Sequence, residues 1–143
     1  MKDDLKLTYI NKKEEFEILS NLYLNEDINK YFGGYRIDRI LASEFSFLIY
    51  LKSVPIGFIL LVREKNNMNF LAVDIALLKE YRFKGYGSKA LYLFKKLYLK
   101  QISSSLIIET NQNNTIIGKM LKNLDVEYLK SNGNSKVYLI KRN

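Results

Sequence analysis

Leu71-Ala72-Val73-Asp74-Ile75-Ala76-Leu77-Leu78, then Lys79-Glu80-Tyr81, then Arg82-Phe83-Lys84-Gly85-Tyr86-Gly87, is the stretch around which this chain is organised. The opening run is apolar, β-rich at Val73 and Ile75, and short enough for a buried strand. From Gly85 onward the period changes. Tyr86, Ala90, Leu93, Phe94 and Leu97 recur at three- and four-residue steps, which predicts the apolar face of a helix. The two glycines therefore fall where a strand hands over to a helix N-terminus. Such a junction gathers unpaired backbone N–H groups and the positive end of the helix dipole, so it suits a phosphate or pyrophosphate. Gly85 and Gly87 let the backbone approach an anion, and Arg82 with Lys84 adds positive charge beside it. By spacing alone, ordinary turn chemistry accounts for the glycines equally well. The pattern is not a Walker loop, and it is not a dinucleotide fingerprint, because Ala90 stands where the third glycine would be.

The rest of the composition narrows the chemistry. A chain of 143 residues with 48% hydrophobic and 13% aromatic residues fills one domain, taken as residues 1–143. There is no cysteine and no histidine, so disulfides, thiolate metal sites, an acyl-cysteine intermediate and a histidine base are excluded, and no metal is expected. The N-terminal Met1-Lys2-Asp3-Asp4-Leu5-Lys6 lacks the apolar core of a signal peptide. No apolar run is long enough to span a bilayer, so a cytoplasmic protein without membrane contact is expected. The charge is uneven: residues 1–78 hold 10 Lys+Arg against 11 Asp+Glu, and residues 79–143 hold 13 against 4. A basic half invites a polyanion.

Taken in order, Leu5 to Ile10 alternates as a first strand. Asn11 is expected to cap a helix with Glu14 completing a capping box, and Phe16, Leu19, Leu22 and Tyr23 form its buried stripe. A short second helix is expected over Ile28 to Phe32, ending at Gly33-Gly34. Phe45 to Leu51 and Ile56 to Arg63 read as strands around the turn Lys52-Ser53-Val54-Pro55. The organising strand covers Asn69 to Leu78, and Ser105 to Thr110 is another buried strand. Strand, helix, strand at this spacing implies a parallel crossover with the ligand at the strands' carboxyl ends. Asn114 opens a helix bearing Ile116, Ile117, Met120, Leu121 and Leu124. Val126 to Leu129 and Lys136 to Ile140 close one mixed α/β domain as an antiparallel pair.

Arg82-x-x-Gly85-x-Gly87 after Asp74-Ile75-Ala76-Leu77 resembles the acyl-CoA signature of the GNAT superfamily of N-acetyltransferases, which reads Gln/Arg-x-x-Gly-x-Gly/Ala. The approach Leu78-Lys79-Glu80-Tyr81-Arg82 is similar too. Length and element order agree from end to end, and motif detail runs from about Asp74 to Val126. The resemblance implies a single α/β domain, a mixed, mostly antiparallel sheet with a central, splayed parallel pair and flanking helices. It implies acetyl-CoA as cosubstrate and direct transfer of the acetyl group to a primary amine in a ternary complex.

Carried over residue by residue, it assigns the strand end Ile75 to Leu78 to the pantetheine arm, Leu77 and Leu78 foremost and Leu77 the carbonyl contact, and Phe83, Lys84, Gly85, Tyr86 and Gly87 to the pyrophosphate. Asn114 matches an asparagine that contacts the pantetheine, and it reads equally as a helix N-cap. Glu109 is the first candidate base, on the expectation that an apolar strand desolvates it and raises its pKa. Asp74, a lone acid in an apolar strand, is the second. Seven residues beyond Asn114, where many relatives carry a thiolate-protonating tyrosine, this chain has Leu121. The usual Gly-Phe pair is replaced by Asp125-Val126, and Tyr128 is a weak substitute.

The acceptor is expected to be a small-molecule or peptide amine, contacted by Tyr31, Phe32, Tyr35 and Arg36 in an aromatic loop. A homodimer is left open. Two other readings compete. A CoA-binding regulatory domain without turnover is motivated by Leu121. A nucleic-acid-binding module is motivated by the basic half, and it ranks last because no binding motif is present and the aromatics fall at core spacing.

Overall fold

A computed structural model describes residues 4–30, 43–64, 69–111, 120–121 and 124–142. Seven strands form one sheet in the order β1-β2-β3-β4-β5-β7-β6. They are β1 (Leu5–Tyr9), β2 (Ser43–Leu51), β3 (Val54–Arg63), β4 (Phe70–Leu77), β5 (Ser105–Asn111), β6 (Val126–Asn132) and β7 (Ser135–Ile140). Among the described residues the helices are α1 (Lys13–Tyr23), α2 (Glu26–Asn29) and α3 (Tyr86–Tyr98). Every described strand pair is antiparallel except β4 with β5. The expected mixed sheet with a central parallel pair is therefore the observed one.

Period-2 alternation sends neighbouring residues to opposite faces, and each face has its own cover. On one side Leu71, Val73, Ile75 and Leu77 of β4 meet Ala90, Leu91 and Phe94 of α3, with Met120, Leu121 and Leu124 in the same cluster. On the other, Phe58, Leu60, Val62 and Ala76 pack under Leu19, Leu22 and Tyr23 of α1 and Ile28 of α2. The two layers make β3 and β4 the most enclosed strands.

Local chemistry shifts several expected boundaries. The α1 N-cap is Lys12, and Glu15 rather than Glu14 folds back, its Oε1 accepting from the Asn11 and Lys12 N–H groups at 3.1 Å each. Phe16 stays exposed, so the buried stripe of α1 begins at Leu19. The second helix starts earlier than expected, at Glu26, because Asn25 Oδ1 accepts from the Asp27 N–H at 2.9 Å and caps it. The β2–β3 turn is tighter than expected, with only Lys52 and Ser53 between the strands, at φ 49° and 72°. The apolar face of α3 is rotated: Gly87, Ala90, Leu91 and Phe94 are buried, whereas Leu97 is 50% exposed. Leu97 is turned away from the sheet, whereas the adjacent Tyr98 packs on Phe47 with ring centroids 4.7 Å apart. Most of the expected helix from Asn114 lies outside the described residues; Met120, Leu121 and Leu124 are buried as foreseen.

Candidate functional site

The site is built on the two edges of β4. Against β3 the register runs unbroken from Gly57↔Leu77 to Arg63↔Leu71. The Leu78 N–H donates to Ile56 O at 2.8 Å, and the Glu64 N–H to Phe70 O at 3.0 Å. Antiparallel pairs alternate between bonded and non-bonded, so these two bonds fix the parity of the whole strand. The backbone groups of Ala72, Asp74 and Ala76 face β3, and those of Val73, Ile75 and Leu77 face β5. The β5 ladder, however, pairs only Phe70, Leu71 and Ala72 with Ser105, Leu106 and Ile107. Beyond Ala72 the strands part while β5 continues along β7. The N–H groups of Ile75 and Leu77 are thus aimed into a gap between strands.

At the mouth of this gap the chain turns into α3. A short 3-10 turn at Lys79–Tyr81 leads to Arg82, and α3 begins after Gly85. Gly85 is left-handed at φ 84°, which glycine adopts without strain. Phe83 is also left-handed, at φ 62°, and 71% exposed. The first helical bond runs from the Lys89 N–H to Gly85 O at 3.1 Å. Among the described residues no side chain caps the helix, and its first turn holds no acid. The N–H groups of Tyr86, Gly87 and Ser88 therefore point out of an uncapped terminus with the dipole's positive end behind them. Lys84 is exposed beside it.

Arg82 has another occupation. It is 8% exposed, its Nε donates to Leu77 O at 3.0 Å, and its NH2 donates to Asp27 O at 2.8 Å. The guanidinium ties the end of β4 to α2, and it holds Leu77 through the carbonyl on the same edge as the Leu77 N–H. Gly87 is buried, and a β-carbon there would fall 2.1 Å from Met120 Cε, so its smallness serves the packing of α3 against that segment. Tyr81 and Tyr86 flank the loop with ring centroids 6.5 Å apart.

The two candidate carboxylates lie on β4 and β5, beyond the last paired residues of the two strands. Alternation along each strand puts Asp74 and Glu109 on the same sheet face, the one covered elsewhere by α1 and α2. Asp74 is half-buried, and Glu109 is exposed. The expected desolvation of Glu109 is not observed, because β5 leaves the shelter of β4 before reaching it. Leu121 is 9% exposed within the α3-side cluster, so an aliphatic side chain occupies the place expected for a proton donor. Tyr128 lies exposed on β6, its hydroxyl 2.6 Å from Ser131 Oγ. Asn114, Tyr31, Phe32, Tyr35 and Arg36 lie outside the described residues. Among the described residues no cluster of acids is arranged to hold a metal ion.

Gly57 was not foreseen in this role. A β-carbon on it would lie 2.2 Å from Ala76 O and 2.8 Å from Leu77 Cδ2, so β4 seats its last residues on a glycine of β3. An isolated glycine inside an apolar strand is the sequence signal for such close approach.

No protein-family model and no characterised relative matches the sequence. Solved structures do. The aminoglycoside acetyltransferase AAC(6')-Ib in complex with coenzyme A aligns with a TM-score of 0.71 at 13% identity, covering 96% of this chain and 95% of that one. Naa50 of Arabidopsis thaliana, in complex with the bisubstrate analogue CoA-Ac-MVNAL, gives 0.61 at 21% identity, covering 96% and 98%. The ribosomal L7/L12 alpha-N-protein acetyltransferase RimL, also in complex with coenzyme A, gives 0.63 at 15% identity, covering 95% and 93%. With its parted parallel strands and uncapped glycine-loop helix, the chain has the fold of the GNAT acetyltransferases.

Proposed function

We propose that the protein is an acetyl-CoA-dependent N-acetyltransferase that moves an acetyl group directly to a primary amine. The observation that carries this reading is the half-open edge of β4, ending at an uncapped helix N-terminus. An open strand edge offers donors and acceptors to an amide-bearing pantetheine arm, and the helix terminus offers N–H groups to a pyrophosphate. One cosubstrate with both features spans both places. The donor set fits it: Ile75 and Leu77 along the arm, Gly85 to Ser88 at the phosphates, and exposed Lys84 alongside.

The Leu77 N–H is the donor toward the thioester oxygen, where negative charge develops as the amine attacks. The amine nitrogen bonds to the acetyl carbon, the carbon–sulfur bond breaks, and the thiolate of coenzyme A leaves. Glu109 receives the amine proton directly or through water, and its exposure favours the water-mediated route. Asp74, across the gap, stabilises the incoming ammonium before that proton is lost. With Leu121 in the core, the thiolate departs unprotonated or takes a proton from solvent.

The amine acceptors of AAC(6')-Ib, which has also been solved with ribostamycin, and of Naa50 differ widely in size. For this chain a small-molecule or peptide amine suits the open face beside Asp74 and Glu109. The second reading, a CoA-binding domain without turnover, draws on Leu121 and on the exposure of Glu109.

Calorimetric titration with acetyl-CoA, on wild type and on Gly85→Glu, tests the cofactor assignment. One-to-one binding that the variant loses is the expected result. Absence of binding by the wild type removes the proposal. Transfer to a panel of amines, abolished in Glu109→Gln while binding persists, separates the enzyme from the regulatory domain.

A further inference from the structure

The exposed face of α3 has a composition that neither the core nor the candidate site explains. No carboxylate occurs between Glu80 and Glu109, while Arg82, Lys84, Lys89, Lys95, Lys96 and Lys100 all fall in that interval. Arg82 is buried and bound to carbonyls, and Lys84 belongs to the candidate site, which leaves Lys89, Lys95, Lys96 and Lys100. With Gly87, Ala90, Leu91 and Phe94 turned inward, Lys89, Tyr92 and Lys96 form one line along the outside of the helix, and Lys100 follows in the next turn. Helix α1 shows the alternative: its first turn carries Glu14 and Glu15 beside Lys13.

Among the described residues no ion pair neutralises this line. The described salt bridges join Lys30 to Asp27, Lys52 to Asp4, Arg63 to Glu44 and Lys141 to Asp125, and none uses a lysine of α3. In the middle of the line stands Tyr92, 49% exposed, with Lys89 Nζ 5.0 Å from its ring centroid. The expectation that the aromatics fall at core spacing rather than between basic residues is corrected here for one ring, since Tyr92 lies among lysines at the surface.

We propose that this face of α3 is a docking surface for a single-stranded nucleic acid. A row of lysines supplies point charges to repeated phosphates without reading sequence. From Lys89 to Lys100 the row runs roughly 16 Å at 1.5 Å per residue, about five nucleotides at 3.4 Å per charge of one strand. An exposed aromatic between the lysines gives an unpaired base a stacking partner, which neither an acidic polypeptide nor a bilayer supplies. The row lies on the α3 side of the sheet, away from the face that carries Asp74 and Glu109. Binding there leaves the acceptor side open.

Fluorescence anisotropy with a labelled 20-nucleotide single-stranded RNA, its DNA counterpart and a duplex of the same length tests the surface. Wild type should bind the single strands with a log–log salt dependence. In the double variant Lys96→Gln, Lys100→Gln the slope should fall by about 1.4, at roughly 0.7 per lysine, with affinity down at least tenfold. Tyr92→Ala should weaken single strands about tenfold and the duplex little. Circular dichroism and the acetyl-CoA titration should be unchanged in both variants. The proposal is overturned by absence of binding, by variants that bind with the wild-type slope, or by equal competition from polyglutamate or anionic vesicles.

Discussion

The two edges of β4 are made by the same eight residues and do opposite things. Toward β3 the strand is sealed from Leu71 to Leu77, with Gly57 cut back so that Ala76 and Leu77 can sit close. Toward β5 it pairs over three residues and then opens. Side chains do not make this difference, because Val73, Ile75 and Leu77 are buried throughout. It comes from where the neighbouring strand goes: β5 stays with β7 and leaves β4 behind. A closed edge fixes the strand so that the open edge can present its N–H groups at defined positions. Rigidity on one side is the condition for a binding edge on the other.

Gly57→Ala strikes the closed edge directly and should have the largest effect. The added methyl would lie 2.2 Å from a backbone oxygen, so β4 must move, at a cost of about 3 kcal/mol. Urea unfolding should show it, and acetyl-CoA binding should fall with it. Arg82→Met comes next. It removes charge-assisted donors to Leu77 O and Asp27 O at a nearly buried site, worth about 2 kcal/mol in the same experiment. An unchanged midpoint would mean that the guanidinium does not hold the strand end.

The loop at the open edge should respond less, and with opposite signs at two neighbouring positions. Gly85→Ala forces a β-carbon into φ 84° and should destabilise by roughly 1 kcal/mol. Phe83→Gly relaxes φ 62° and should leave thermal stability equal or slightly raised. Equal losses in both would show that the loop is not held in this conformation.

The smallest effect belongs to the far end of the closed edge. There the Arg63 Nε and NH2 groups bond Glu44 at 2.6 and 2.7 Å, and this hydrogen bonding holds the Glu44 carboxyl below its usual 4.5. Because the folded value is lowered, the stabilisation is present above the unfolded pKa and is lost as pH falls through the folded one. Glu44 is partly exposed, so the contribution is under about 1 kcal/mol. Glu44→Gln should remove that part of the acid-side decline in stability and leave the neutral-pH cofactor site unaltered.

Much of this arrangement was legible in the chain. The apolar run to Leu77 and the change of period at Gly85 placed β4, the turn and α3, because strand and helix periods are local properties. Arg82-x-x-Gly85-x-Gly87 pointed to the fold that the solved neighbours bear out. Pairing partners of a strand edge are not local, so nothing in Asp74-Ile75-Ala76-Leu77 says where the β5 ladder stops. Glu109 read as desolvated because its strand is apolar, yet its exposure is decided by β4 turning away. Arg82 read as charge for an anion, while the carbonyl of Asp27, distant in sequence, occupies one of its donors. Gly57 carried a signal, an isolated glycine in a strand, whose meaning depended on which strand lay opposite.

Amide hydrogen exchange along β4, with and without acetyl-CoA, tests the central claim most directly. Exchange of Ala72, Asp74 and Ala76 should be slow in both states, since their N–H groups are bonded to β3. Ile75 and Leu77 should exchange faster in the free protein and become protected when acetyl-CoA is added. Protection of Ile75 and Leu77 before ligand is added, or no change in them at saturation, would contradict the assignment of the open edge as the cofactor site.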